Sequence, residues 1–421
     1  MKGERLPAVI AGLGFFALLA LPLAGAATLE ADNCLACHIR LSDPRLAKPA
    51  EDFASDIHSA KGFGCVACHG GDATNSGMGA MDAAKGFVGK PDHRQIPQLC
   101  GSCHSDARFM KRYNPALRVD QVTEYYTSVH GRRLKELGDP KVATCVSCHS
   151  AHTIRPPSDP RSKVYPLHVA DTCGGCHSDP KLMAPYKIPT DQLEKYKKSV
   201  HWQVLSVQGD LSAPTCNDCH GNHGAAPPGI SWVGNVCGQC HVVMADLFEQ
   251  SIHAKVFTQM GSPGCATCHQ NHEISPVSDE MVGLGDKAVC SACHSANDPG
   301  GKTALQIRSL IDSLRTANEE AGTLLAQAGR AGMEVSRAQF ELKGAQTALV
   351  KARTALHSFR LEPVEKDIGV GLSISENAYI RGIHAMEELR FRRLGLAVSV
   401  LIILGLIVGL VLKIRQMERR R

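Results

Sequence analysis

Residues 128–154 read SVHGRRLKELGDPKVATCVSCHSAHTI, and the same arrangement returns as SVHWQVLSVQGDLSAPTCNDCHGNHG at 199–224 and SIHAKVFTQMGSPGCATCHQNHEI at 251–274. In each copy a histidine precedes the motif C-x-x-C-H by 12 to 15 residues, and another histidine lies three positions past the motif. A related stretch begins at His58 and has Asp72 in place of the trailing histidine. A second C-x-x-C-H motif follows each copy. This self-similarity predicts four repeats with two motifs each.

All 18 cysteines fall into nine C-x-x-C-H motifs, and none is left over. This motif is the attachment signature of c-type haem, because two thiols reach the two vinyl groups of one porphyrin and the adjacent imidazole meets the iron. The cysteine pairs are Cys34 and Cys37, Cys65 and Cys68, Cys100 and Cys103, Cys145 and Cys148, Cys173 and Cys176, Cys216 and Cys219, Cys237 and Cys240, Cys265 and Cys268, and Cys290 and Cys293. The expected proximal iron ligands are His38, His69, His104, His149, His177, His220, His241, His269 and His294. The sequence therefore predicts nine haem c groups.

A disulfide framework and a set of zinc sites are the alternatives for so many cysteines. Disulfides give no reason for a histidine after every second cysteine. Structural zinc sites combine two C-x-x-C half-sites and do not require a following histidine. Nine motifs out of nine therefore favour haem.

Nine further histidines lie between residues 28 and 300, one for each predicted iron. They are His58, His93, His130, His152, His168, His201, His223, His253 and His272. The equal numbers predict distal imidazole ligands for most irons, which favours electron transfer over catalysis. His93 is the candidate to replace the trailing histidine missing from the first repeat. The motif ending at His38 has no nearby partner, so a histidine of the second repeat is a candidate to cross over to it.

The predicted fold is mainly α with extensive irregular loops, because Gly, Pro, Ser and Asp interrupt nearly every segment and about 30 residues per haem leave little chain for a core. We expect a multihaem cytochrome c built from dihaem units, in which haem fills the interior, followed by a helical stalk and a transmembrane helix. The predicted segments are 1–27 signal peptide, 28–300 nine-haem domain, 301–393 stalk, 394–412 transmembrane helix and 413–421 basic tail.

Both ends of the sequence carry apolar runs. Lys2 and Arg5 precede an apolar stretch and a small-residue cleavage site at 24–26, which predicts export, whether the segment is cleaved or kept as an anchor. Residues 394–412 are 19 residues without a charge, about 28 Å of helix, enough to cross a bilayer. Basic residues from Lys413 onward place the C-terminus in the cytoplasm and the exported body in the periplasm.

The stalk region changes composition abruptly and contains no cysteine. Its first helix is indicated by apolar residues at helical spacing, namely Leu310, Leu314, Ala317, Ala321, Leu324 and Ala328. A second helix is expected through Phe340, Leu349 and Leu356 until Pro363 stops it, and a third over residues 374–393. A hairpin and an extended stalk fit this pattern equally.

Two histidines, His357 and His384, lie in the stalk region. They are expected to be exposed helical residues, with binding of quinol or of a further iron as the alternative. The formal net charge of +5, without a long basic run outside the C-terminus, argues against a nucleic-acid partner.

With nine motifs, the extension CVSCHSAH, an export signal and a helical tail, the chain resembles the membrane-anchored multihaem c-type cytochromes of anaerobic bacterial respiration. The resemblance implies an electron carrier rather than an enzyme, without catalytic residues, in the bacterial inner membrane. Its implied partners are the lipid bilayer, a quinol-oxidising membrane subunit and periplasmic or outer-membrane cytochromes.

The helical tail is also similar to that of nitrite- and hydroxylamine-converting multihaem enzymes. This second resemblance implies the alternative function, a reductase or oxidase of small nitrogen or sulfur compounds with one open haem. Such enzymes often carry lysine in place of the motif histidine, and no C-x-x-C-K occurs in this sequence.

Overall fold

A computed structural model describes residues 32–224 and 236–420. Helices make up 66% of the structure, and no β-strand occurs in the described ranges. The mainly helical prediction is therefore confirmed. The predicted signal peptide, residues 1–27, lies outside the described residues.

The chain divides into two compact units. The first unit is Met1–Tyr126 with His130–Tyr165, and the second unit is Thr127–Val129 with Pro166–Arg421. The helices before residue 166 are α1 (Asn33–His38), α2 (Pro44–Phe53), α3 (Ile57–Ala60), α4 (Val66–His69), α5 (Ile96–His104), α6 (Ala107–Met110), α7 (Gln121–Thr127), α8 (Val129–Arg132) and α9 (Cys145–His149), with 3-10 turns at Met78–Met81 and Ala83–Lys85 and a π-helical turn at Arg133–Leu137.

The later part of the chain ends in three long helices. The helices after residue 165 are α10 (Pro166–His177), α11 (Pro180–Met183), α12 (Gln192–Lys198), α13 (Val200–Ser206), α14 (Cys216–His220), α15 (Cys237–Cys240), α16 (Val242–Glu249), α17 (Ile252–Met260), α18 (Cys265–His269), α19 (Pro299–Arg330), α20 (Ser336–Ala355) and α21 (Leu361–Glu418). Short 3-10 turns lie at Ala184–Tyr186, Asp279–Met281, Val289–Ala292 and Leu356–Ser358.

Local sequence explains where the motif helices begin. Thr144 and Thr215 each precede the first cysteine of a motif, and their backbone N–H groups donate to Ser147 Oγ at 3.0 Å and to Asp218 Oδ2 at 2.8 Å. Each bond gives a partner to a backbone N–H group at the start of α9 or α14 that has none inside the helix.

Helices α9, α14 and α18 end directly after the motif histidine, at a residue with positive φ. Ser150, Gly221 and Gln270 have φ of 68°, 78° and 61°. This backbone reversal ends the helix. The trailing histidine therefore lies outside the motif helix, in the loop that follows.

The protein's own apolar core in the first unit is small. Tyr125, Leu134 and Val142 form a buried cluster there, with Tyr126 packed against it. A cluster of three side chains buries far less apolar surface than a domain of this length needs for a stable fold. The arrangement agrees with the expectation that haem fills the interior.

The stalk is a three-helix bundle, so its helices fold back on one another as in a hairpin and do not form an extended stalk. Helices α19, α20 and α21 pack on one another along a continuous apolar core. Among the predicted face residues, Leu314, Ala321 and Ala328 are completely buried, whereas Leu324 is half-buried. Gly371 of α21 packs closely against the other two helices, because an added Cβ would lie 2.5 Å from a methyl group of Leu314 and 3.1 Å from Ala348 Cβ.

Two predictions about the stalk were wrong. Pro363 does not end the second helix; it lies in the first turn of α21, where a missing backbone N–H breaks no helical hydrogen bond. The third helix therefore begins at Leu361 rather than at residue 374. Phe340 is 71% exposed, and Leu342 faces the bundle core instead.

Helix α21 continues from the bundle through residues 394–412, whose side chains are exposed. In the part of the chain that the structure describes, α21 is the one helix long and apolar enough to cross a membrane, with a mean hydropathy of 2.9 over its most apolar window. This helix is compatible with a membrane anchor.

Candidate haem-binding sites

Two imidazoles that bind one iron from opposite faces have a characteristic spacing. A metal–nitrogen bond of about 2 Å on each side, plus roughly 1 Å from each nitrogen to its ring centre, places the ring centres about 6 Å apart. The histidine pairs of this structure can be tested against that value.

The first unit contains two such pairs. The ring centres of His58 and His104 are 6.0 Å apart, and their planes are inclined by 89°. The ring centres of His69 and His152 are 6.1 Å apart, with planes inclined by 13°. Each pair joins a motif histidine to a histidine predicted as a distal ligand, so the residues present fit an iron between them.

The second unit contains three more pairs of the same kind, each with one motif histidine. The pairs, with the separation of ring centres and the angle between planes, are His201 with His241 (6.4 Å, 31°), His220 with His272 (6.0 Å, 11°) and His253 with His294 (6.0 Å, 77°).

These pairs follow a rule that the sequence did not reveal. The histidine that opens a repeat passes over the first motif and faces the histidine of the second, as His201 faces His241. The trailing histidine reaches back to the preceding repeat, as His272 faces His220. Facing histidines therefore come from neighbouring repeats as well as from within one repeat.

A sixth pair includes a residue from the stalk. The rings of His269 and His357 have centres 6.2 Å apart and planes inclined by 22°. The prediction that His357 is an exposed helical residue is wrong, because the ring is half-buried in the turn between α20 and α21. His384 is exposed, as expected.

Several of these rings are held through Nδ1 by an oxygen that can only accept a hydrogen bond. These contacts are His58 to Asp56 Oδ1 (2.9 Å), His69 to Gly89 O (2.7 Å), His294 to Asp298 Oδ1 (2.9 Å) and His357 to Thr354 O (3.1 Å). The proton therefore lies on Nδ1, and the lone pair of Nε2 is directed away from the acceptor. Metal-binding histidines are typically oriented in this way.

Burial favours the neutral form of many of these histidine rings. Desolvation lowers the pKa of His104, His152, His177, His201, His220, His253, His269 and His272. The facing ring lowers the pKa further in pairs such as His220 with His272, since two positive charges at this distance repel. Iron requires the neutral imidazole.

The attachment cysteines of successive motifs lie near one another within each unit, and none of the 18 cysteines, all within the described ranges, forms a disulfide. Hydrogen bonds join Cys100 with Cys145, Cys173 with Cys216, and Cys237 with Cys265. Electrostatic interactions join Cys34 with Cys65, Cys68 with Cys103, Cys219 with Cys240, and Cys268 with Cys290 and Cys293. Motifs that are consecutive in sequence are therefore neighbours in space within each unit.

Three predicted attachment residues, Cys37, Cys148 and Cys176, do not belong to the pairs just given. Cys148 is half-buried on α9. Burial raises the pKa of Tyr125, and the nearby thiols of Cys145 and Cys148 raise it further. Cys37 on α1 and Cys176 on α10 are exposed. Haem attachment at these three residues stays a prediction from their motifs.

Two predicted site residues are not brought together with a second histidine. His38 contacts Leu46 O through Nδ1 at 3.3 Å, and among residues 32–224 and 236–420 no other histidine ring faces it. His93 donates from Nε2 to Val142 O at 2.7 Å and faces no histidine in the same ranges. The expectation that His93 serves the first repeat has no counterpart in this geometry, because His152 faces His69 instead.

The remaining site residues are placed as follows. His130 lies on α8 and His223 in the loop after α14, both half-buried. The motif residues His149 and His177 are half-buried at the ends of α9 and α10. His168 lies on the exposed face of α10.

Comparison with known proteins gives a consistent class. Residues 211–295 match the Cytochrome c3 family. The C-type polyheme cytochrome OmcC of Geobacter sulfurreducens is 26% identical over 222 residues, which cover 47% of this chain and 27% of OmcC. The C-type polyheme cytochrome OmcB of the same organism is 23% identical over 235 residues, which cover 52% of this chain and 26% of OmcB.

The chain thus spans about a quarter of the length of these curated relatives. No solved structure matches it. Together, the family match and the two relatives support a multihaem c-type cytochrome.

Proposed function

We propose that this protein is a membrane-anchored carrier that relays electrons through nine haem c groups. The observation that carries the proposal is the proximity of the attachment sites: the cysteines of consecutive motifs lie near one another within each unit, from Cys34 to Cys145 and from Cys173 to Cys293. Electrons move efficiently only between cofactors that are close together. A series of adjacent attachment points provides such a path.

The facing histidines support a carrier rather than an enzyme. Haem supplies a one-electron iron couple, and an imidazole on each face leaves no coordination position for a substrate. Histidine on both faces also keeps the reduction potential below that of a methionine-ligated haem. We propose the nine predicted distal histidines as iron ligands. His93 has the least support among them, because its Nε2 donates to a backbone carbonyl and it faces no histidine within the described residues.

The apolar end of α21 supports attachment to the inner membrane, with the haem sites in the periplasm and residues 413–421 in the cytoplasm. A quinol-oxidising membrane subunit is the proposed donor, and periplasmic or outer-membrane cytochromes are the proposed acceptors. Low haem potentials suit a low-potential quinol such as menaquinol.

The proposal is tested by the mass and the redox behaviour of the purified protein. We expect a mass increase equal to nine haems, and reversible reduction by a quinol analogue only when a membrane quinol-oxidising fraction is present. A colourless protein, or one with fewer haems, would contradict the count. Failure of the reduced protein to pass electrons to a soluble cytochrome would contradict the carrier function.

A second candidate function is supported by the surroundings of His38. No second histidine ring faces His38 within the described residues, so the haem at Cys34 and Cys37 is the candidate for an open iron. An open iron would bind a small nitrogen or sulfur compound. A high-spin ferric signal of one haem per chain, with turnover of nitrite or hydroxylamine, would favour this enzyme over the carrier.

A further inference from the structure

We infer that His357, from the stalk, is the distal ligand of the haem attached at Cys265 and Cys268, whose proximal ligand is His269. This inference rests on the proposed attachment of haem at that motif. It adds a ligand that lies outside the predicted haem region, which was expected to end at residue 300.

The first argument is the geometry of the pair. The separation of 6.2 Å between the ring centres of His269 and His357 lies within the range of the other pairs, 6.0 to 6.4 Å. The first-motif histidines His69 and His220 meet their partners nearly parallel, at 13° and 11°. His269 is also a first-motif histidine, and its angle of 22° is far from the 89° of His58 with His104 and the 77° of His253 with His294.

The second argument comes from the order of the repeats. Trailing histidines His152 and His272 each serve the repeat before their own. The fourth repeat has no successor, so no trailing histidine is available for His269. The stalk supplies a ring at the equivalent position.

The third argument is the orientation of the ring. His357 Nδ1 lies 3.1 Å from Thr354 O, and a carbonyl oxygen can only accept, so Nδ1 carries the proton. The Nε2 lone pair is then free for iron, as expected for a metal-binding histidine with a hydrogen-bonded second nitrogen. A ring facing solvent would have no such requirement.

The fourth argument is that the turn is fixed by contacts of its own. Phe359 adopts φ of 53° and places its ring 3.9 Å from that of His253, which faces His294. Arg353, one helical turn before His357, forms two hydrogen bonds with Asp279 of the haem region. The imidazole is therefore positioned before iron binds, which reduces the entropy that ligation costs.

The test replaces the ring and records the spin state of iron. In the oxidised holoprotein, His357→Gly is expected to convert one haem per chain from low-spin to high-spin, beyond any high-spin signal of the unmodified protein. The reduced variant should bind one additional carbon monoxide, and added imidazole should restore the low-spin signal. His384→Gly, on the exposed face of α21, is the matched stalk control and should change nothing.

Two further measurements separate the possible failures. Peptide mass spectrometry of the Cys265–Cys268 motif reports whether haem is attached: absence of haem there overturns the attachment itself. If haem is attached and His357→Gly remains entirely low-spin, His357 is not the ligand. Should the glycine variant not fold, His357→Met is expected to stay low-spin while raising the reduction potential of one haem, and an unchanged set of potentials would overturn the inference.

Discussion

Arg353 and Asp279 form a two-point ion pair, with Nε 2.8 Å from Oδ1 and Nη2 2.7 Å from Oδ2. Arg308 of α19 also donates to the backbone carbonyl of Asp279. The loop between the two motifs of the fourth repeat is thereby tied to two helices of the bundle, next to the buried Val282. The bundle and the haem sites of the second unit are thus one structural entity.

Asp279→Asn is expected to weaken this connection. The Asp279 side chain is 14% exposed, so loss of its charge should lower the free energy of unfolding by about 1–2 kcal/mol. Glu280→Gln is the matched control, because Glu280 pairs with Lys287 at the exposed surface and should leave the free energy of unfolding nearly unchanged. Unfolding by denaturant, followed through the circular dichroism signal of the helices, measures the free energy of unfolding of both variants. Equal effects of the two substitutions would contradict the structural role of Asp279.

Gly371→Ala is expected to separate the helices of the bundle. Its Cβ would lie 2.5 Å from Leu314 and 3.1 Å from Ala348, and both neighbours are buried. The crowding should cost about 1–3 kcal/mol, which exceeds the gain in helix propensity. Gly369→Ala on the open face of the same helix should stabilise by up to about 1 kcal/mol, since nothing lies within reach of its Cβ. Thermal unfolding compares the two, and a stabilised Gly371 variant would refute the packing.

The angles between facing rings predict two classes of low-spin ferric signal in electron paramagnetic resonance. Near-perpendicular rings, as in His253 with His294, give strongly anisotropic signals, whereas near-parallel rings, as in His220 with His272, give ordinary rhombic signals. His253→Gly should therefore remove one anisotropic signal, and His272→Gly one rhombic signal, each replaced by a high-spin signal. Loss of the same class in both variants would rule out the pairing described.

Asp56→Asn is expected to raise the reduction potential of the haem at Cys100 and Cys103. Asp56 is 1% exposed and accepts hydrogen bonds from His58 Nδ1 and from the backbone N–H of Ile154. Its hydrogen bonds overcome the effect of burial and lower its pKa, so the carboxylate remains charged and strengthens His58 as a ligand.

A redox titration resolved by haem measures the effect of Asp56→Asn. Glu51→Gln provides the control, because Glu51 is exposed and lies on the neighbouring helix α2. A similar shift in both variants would mean that only the overall charge matters.

The sequence predicted the chemistry of the sites better than their pairing. The motif itself specifies both thiols and the adjacent imidazole, so a local pattern identifies Cys216, Cys219 and His220 without knowledge of the fold. The partner of His220 is His272, some distance along the chain, and nothing in the local spacing selects it over His201. Pairing depends on how the loops pack.

For the same reason His357 was expected to be an exposed helical residue, with binding of quinol or of a further iron only as the alternative. It has no neighbouring cysteine and follows a long helix, so its sequence context resembles that of the exposed His384. The available signal was the absence of a successor to the fourth repeat. The prediction from Pro363 failed for another reason. Proline disrupts the interior of a helix but is well accepted in its first turn, where Pro363 lies in α21.

Helix α21 runs without interruption from Leu361 to Glu418, a rod of about 87 Å. Its first turn directly follows the segment that holds His357 and Phe359, and its far end is the apolar stretch. A change in the tilt of that far end is transmitted to the turn that contains His357, because the helix has no break along its length. The orientation of the second unit is therefore coupled to that of the apolar stretch.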